Sequence, residues 1–109
     1  MNKHILIHEI QAKYLPKGIL KAGELLLKPS DAIQLLGELE HANIGVLGIN
    51  VWYTINDLYA EDLSGMDLSY LLNSSNWIHE SIQISKKFIL EQLTENIERV
   101  SFIFEDRFY

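Results

Sequence analysis

Apolar positions along this chain fall into two helical stripes and two strand-like runs. From Ser30 to Ala42, Ile33, Leu36 and Leu39, backed by Ala32, Leu35 and Ala42, recur at the three-to-four spacing of one helix face. Pro29-Ser30-Asp31 reads as the start of that helix. Ser30 is placed to accept from exposed backbone N–H groups, and Asp31 sits at the positive end of the dipole. Asn43 supplies a left-handed stop. Ile44 to Ile55 is then β-branched, aromatic or large aliphatic at nine of its twelve positions, Trp52 and Tyr53 included. A run that is apolar on both faces predicts a central strand covered on both sides. Asn76 caps the longest predicted helix, Trp77 to about Arg99, whose stripe is Ile78, Ile82, Ile89, Leu93 and Ile97, widened by Ile84 and Phe88. Ser101 onward alternates and predicts a terminal strand.

The remaining segments carry weaker patterns. Residues 56–76 are mostly polar and acidic and include Gly65, so they predict a long connection with a helical turn over 68–72. A connection of that length inside a small domain often carries function. His4 to Ile10 fits a strand or a helix. Pro16, Gly18 and Gly23 limit the stretch up to Leu27 to a turn or two of helix. The order predicts an α+β fold. A small sheet has a central strand at about 44–55 and a C-terminal strand at about 101–108, packed by helices at about 30–42 and 77–99. A helix crossing over between those two strands favours their parallel pairing. With 109 residues and 48% hydrophobic content, the chain predicts a single domain, 1–109, that buries one core without staples.

Charge changes the picture more than composition does. Between Lys28 and Lys86 there is no lysine or arginine, yet eight carboxylates lie there, so residues 29–85 carry −8 of a chain whose net charge is −6. A surface of one sign governs partner choice and association rate more than fold. It repels nucleic acid and anionic lipid and attracts basic proteins; equally, it can serve as a solvated face that aids solubility. The absence of cysteine excludes disulfides, a thiolate nucleophile and zinc-ribbon chemistry. Ile5-Leu6-Ile7 is too short for a signal sequence, and no run approaches a membrane span. The expectation is a cytoplasmic protein with no nucleic-acid or membrane partner.

Few motifs point to chemistry. His4 and His8 share a face, but Glu9 does not complete a zinc helix, and His41 and His79 have no partner nearby in sequence. Gly45-Val46-Leu47-Gly48 spells the G-x-x-G of a nucleic-acid clamp inside a hydrophobic strand in the most acidic part of the chain, which is the wrong setting. Gly65-Met66-Asp67-Leu68-Ser69 approaches an acyl-carrier attachment site with its serine displaced by one residue. The adjacent pair Glu61-Asp62 allows acid–base work or metal binding in principle, although such a pair is more often simply solvated. No catalytic residue, metal site or cofactor is expected. Acidic residues interleaved with aromatics remain, in the pattern of a protein interface. Trp52 and Trp77 are assigned to the core. Asp57, Tyr59, Glu61, Asp62, Asp67 and Tyr70 form the candidate binding surface.

One resemblance sharpens this. Ser30-Asp31-Ala32-Ile33-Gln34-Leu35-Leu36, followed by Ile44-Gly45-Val46-Leu47-Gly48-Ile49-Asn50-Val51-Trp52-Tyr53, resembles the immunity proteins grouped as family forty of bacterial polymorphic-toxin systems. Leu15-Pro16 and Gly23 fit the same pattern, and Ile49 and Asn50 depart from it, since Gly and Asp are usual there. The resemblance implies a cytoplasmic protein that neutralises one cognate toxin by binding it, without catalysis. A basic toxin such as a nuclease suits the charge. A phage-type inhibitor of a host nuclease has the same electrostatics, and a small ligand-binding or enzymatic domain using Glu61 and Asp62 is the alternative from another class.

Overall fold

In the computed structural model, residues 3–56, 58–92 and 98–104 are described. The ambiguous first segment is a helix, α1 (Lys3–Ala12), which buries Ile7 and Ile10. A short 3-10 turn at Leu15–Lys17 follows. The stretch expected to hold at most a turn or two of helix is instead a β-hairpin of β1 (Ile19–Lys21) and β2 (Glu24–Leu26). Ala22 and Gly23 join them with φ of 52° and 80°, the mirror-image turn that suits the twist of paired strands. Gly23 interrupts a helix because it is making a hairpin.

α2 (Pro29–His41) forms where the apolar stripe places it. Its N-cap is Lys28, not Ser30, and no side chain caps it. Pro29 occupies the first turn, where its missing N–H costs nothing, and Asp31 sits beside it. Asn43 takes φ 59° just past the helix end, as expected.

β3 (Val46–Ile55) is the centre of a three-stranded sheet in the order β4–β3–β5, with β4 (Leu58–Asp67) and β5 (Arg99–Phe104) both antiparallel to it. The long connection expected over 56–76 is therefore corrected: half of it is β4, followed by a 3-10 helix at Ser69–Asn73. Asp, Glu and Gly disfavour strands in isolation, and here a strongly strand-forming neighbour imposes the ladder. Ile55 pairs with Leu58, and Asn56 beside it takes φ 51°. Further along, Val51 pairs with Asp62 and Ile49 with Met66, so residues 63–65 bulge against the single Asn50. Gly65 permits this, because a Cβ there would collide with the Ile49 carbonyl oxygen.

Parallel pairing of the two expected strands is also corrected, since β3 and β5 are antiparallel. The intervening β4 reverses the chain before α3 (Trp77–Gln92) crosses over. The helix thus links β4 to β5, and those two run parallel to each other with β3 between them. Of the ranges expected for the last helix and strand, residues 93–97 and 105–108 lie outside the described residues.

The core joins Leu35, Leu36 and Leu39 of α2 and Ile82 and Ile89 of α3 to Ile49, Val100 and Phe102 of the sheet. On β3 and β5, Ile49 lies opposite Phe102 and Val51 opposite Val100, which puts this apolar set on one face. The register positions between them carry Asn50, Trp52 and Ser101. Trp52 is buried as expected, and its indole Nε1 donates to Ser101 Oγ at 2.9 Å. Ser101 donates in turn to Glu24 Oε1 at 2.7 Å, and Asn50 Nδ2 reaches the same oxygen at 2.8 Å. A carboxylate from β2 thus satisfies the buried polar groups on the second face of the sheet, as buried polar groups require. Trp77 is half-buried and packs against the core. Among the described residues, no helix is long and apolar enough to cross a membrane.

Candidate functional site

Where the acidic charge remains available decides where this molecule can meet a basic partner. Among the described residues, Glu38 and Glu40 are paired with basic side chains, and Glu80 accepts from the Ser74 hydroxyl at 3.1 Å. Glu38 accepts from Lys13 Nζ at 2.8 Å and from the Tyr14 hydroxyl. Those bonds hold its carboxyl below the ordinary glutamate range. Burial, together with the Glu38 bond and charge, pushes the Tyr14 phenol up to about 12. Glu40 lies 2.8 Å from His79 Nδ1 and 3.5 Å from Lys86 Nζ, and it accepts from Gln83 Nε2 at 3.1 Å. Partial burial of Glu40 works against its ionisation. The Gln83 and His79 bonds and the Lys86 charge outweigh that and hold it below its ordinary value. These pairings tie α2 to the segment after α1 and to α3, and they engage two of the three carboxylates of α2.

Three further carboxylates of the stretch, Glu61, Asp62 and Asp67, lie on β4. Glu61 is exposed and lies opposite Trp52 of β3. Asp62 lies opposite Val51. Asp67 is exposed at the far end, opposite Gly48, and accepts from the Ser69 backbone N–H at 2.9 Å, which closes the turn into the 3-10 helix. Tyr70, on that helix, is 66% exposed. Tyr59 lies opposite Thr54 and is half-buried beneath Arg99, whose Nε donates to its hydroxyl at 3.0 Å. Asp57 lies outside the described residues.

The candidate residues that are described therefore do not surround one pocket. They string out along one strand and the turn after it. Tyr59 and Asp67 are six β3 positions apart in register, about 20 Å at the rise of a strand. Glu61 and Asp62 belong to a regular ladder. Among the described residues, no group of three or more His, Asp or Glu side chains is arranged to hold a metal ion.

Sequence reasoning missed three features of this region. Ile55 and Leu58, paired at the hairpin turn, are 49% and 68% exposed, an apolar tip beside the acidic strand. Arg99 bridges Tyr59 and, through Nη1, the Leu26 carbonyl at 3.2 Å. A cleft of about 450 Å³ opens beside it, lined by Lys28, Pro29, Ser30, Tyr59, Glu98 and Arg99. Only Asn56, a residue type that tolerates the positive φ of a hairpin turn, hints locally at the hairpin. The Arg99 contacts span up to 73 positions of chain and leave no local signal. Comparison of the sequence with protein-family models and with curated proteins finds no match to either.

Proposed function

We propose that this protein is an immunity protein: a cytoplasmic, non-catalytic binder that neutralises one cognate bacterial toxin through the acidic edge formed by β4 and the turn that follows it. The observation that carries the reading is the separation of charge. Lys13, His79 and Lys86 engage Glu38 and Glu40, whereas β4 carries Glu61, Asp62 and Asp67 and has no lysine or arginine of its own. Exposed Leu58 and Tyr70 supply the apolar and aromatic contact that an acidic rim needs in order to bind tightly. A basic toxin domain is the matching partner, and a nuclease, with its phosphate-binding cleft, is the leading candidate. The resemblance of the 30–53 segment to immunity proteins points the same way. Co-expression with the toxin encoded beside this gene tests the reading: growth is restored if it holds, and toxicity that this protein leaves undiminished overturns it.

A further inference from the structure

The sheet has two outer edges, and they differ. On β5, Val100 and Leu27 exchange both backbone bonds, each N–H meeting the other's carbonyl at 2.8 Å. That edge is closed there by the chain itself. On β4, none of the described residues adds a further strand.

The same pair fixes which groups the open edge presents. Antiparallel strands alternate between positions that bond to one neighbour and positions that bond to the other. Because Val100 bonds outward to Leu27, the next pair, Trp52 with Arg99, is the one that bonds between β3 and β5. Trp52 therefore turns its backbone away from β4. Glu61, opposite Trp52, turns its N–H and carbonyl away from β3, and so does Tyr59 two positions earlier. The bulge at 63–65 limits the straight edge to Leu58–Asp62, five residues, which is the length of an ordinary strand.

We propose that this edge receives an extended, lysine- or arginine-bearing segment of the partner as an added strand, bonded to the backbone of Tyr59 and Glu61. Natural edges are commonly blocked by lysine or proline, and Leu58–Asp67 has neither. Charge selects the occupant. A second copy of this chain would bring one acidic strand with no basic residue against another, and like charges across a ladder destabilise it. A basic strand meets opposite charges, and its backbone bonds supply affinity while alternate side chains supply specificity. The proposal rests on the reading above that the partner is a basic protein.

The test uses the whole protein with a synthetic peptide of alternating lysine and valine, and follows amide hydrogen exchange residue by residue. The Tyr59 and Glu61 amides should exchange rapidly in the free protein. With about nine-tenths of the protein bound they should slow about tenfold, and a peptide with glutamate for lysine should leave them unchanged. Glu61→Ala removes the carboxylate alone, whereas Glu61→Pro also removes the outward N–H and should abolish the protection that Glu61→Ala only weakens. Should the proline variant fail to fold, exchange in the parent protein still decides. Equal peptide binding by both variants, protection confined to other segments, no protection at saturating peptide, or amides already protected by a dimer of this chain would each overturn strand addition. None of these outcomes bears on co-expression with the toxin, so the two readings fail separately.

Discussion

Individual residues carry both avoidable strain and usable chemistry. Ala22 sits at φ 52°, where a Cβ is crowded by backbone and where asparagine is at home. Ala22→Asn should stabilise the protein by about 0.5–1 kcal/mol, read as a higher urea midpoint with unchanged slope. Tyr14 responds to pH. Its phenol ionises near 10 when unfolded and at about 12 when folded, so its contribution to stability is complete below pH 10 and disappears as pH rises towards 12. Glu38 and Glu40 behave in the opposite sense. Their lowered values add stability above the ordinary glutamate value of 4.5, and that part is lost as pH falls below it through the folded-state values. Tyr14→Phe should therefore flatten the alkaline limb of a stability–pH curve between 10 and 12 and leave the acid limb to the glutamates. An unaltered alkaline limb would mean that another group titrates there.

At the scale of elements, α2, α3 and the central strand were legible, whereas α1, whose pattern fits a strand equally well, and the two hairpins were not. α2 and β3 announce themselves because each carries its own periodicity or strand-forming residues, so local preference and tertiary burial agree. β4 is legible only through its partner: Glu61, Asp62, Ser64, Gly65 and Asp67 argue for a loop, and the ladder to β3 decides otherwise. The hairpin at Ala22-Gly23 was hidden because a glycine reads as an interruption until its φ is known. The candidate site fared similarly. Its residues were picked out by composition, but their strung-out arrangement depends on a register that no local pattern encodes. One glycine was also undervalued. At Gly45, part of a G-x-x-G in the wrong setting for a nucleic-acid clamp, a Cβ would run into the Trp77 ring, so this position docks α3 onto the start of β3. Gly45→Ala should cost about 1–3 kcal/mol, and Trp77→Leu in the same chain should recover part of that loss. Denaturant unfolding of both single variants and the double variant measures the coupling; additive losses would show that the two sites are independent.

Across the whole molecule, charge and topology act together. Asp57→Lys, Glu61→Lys and Asp62→Lys combined should abolish protection against the toxin while the melting temperature barely moves, because such surface changes usually stay within about 0.5 kcal/mol each whereas facing like charges across an interface costs several. Glu38→Gln is the control, since its charge is already paired with Lys13 and protection should survive its loss. The on-rate of the parent protein should fall steeply as salt rises; a salt-independent rate would remove electrostatics from the account. The position of β3 between two later strands has a further consequence, for synthesis. During translation β3 can zip to β4 as soon as the hairpin emerges, but its other edge stays bare until α3 and then β5 have been made. A nascent chain paused before Arg99 would display the side of the sheet that the finished protein covers, with Ile49 and Val51 still lacking their opposite numbers. It is in that interval, before the last strand arrives, that aggregation or capture by a chaperone threatens this chain most.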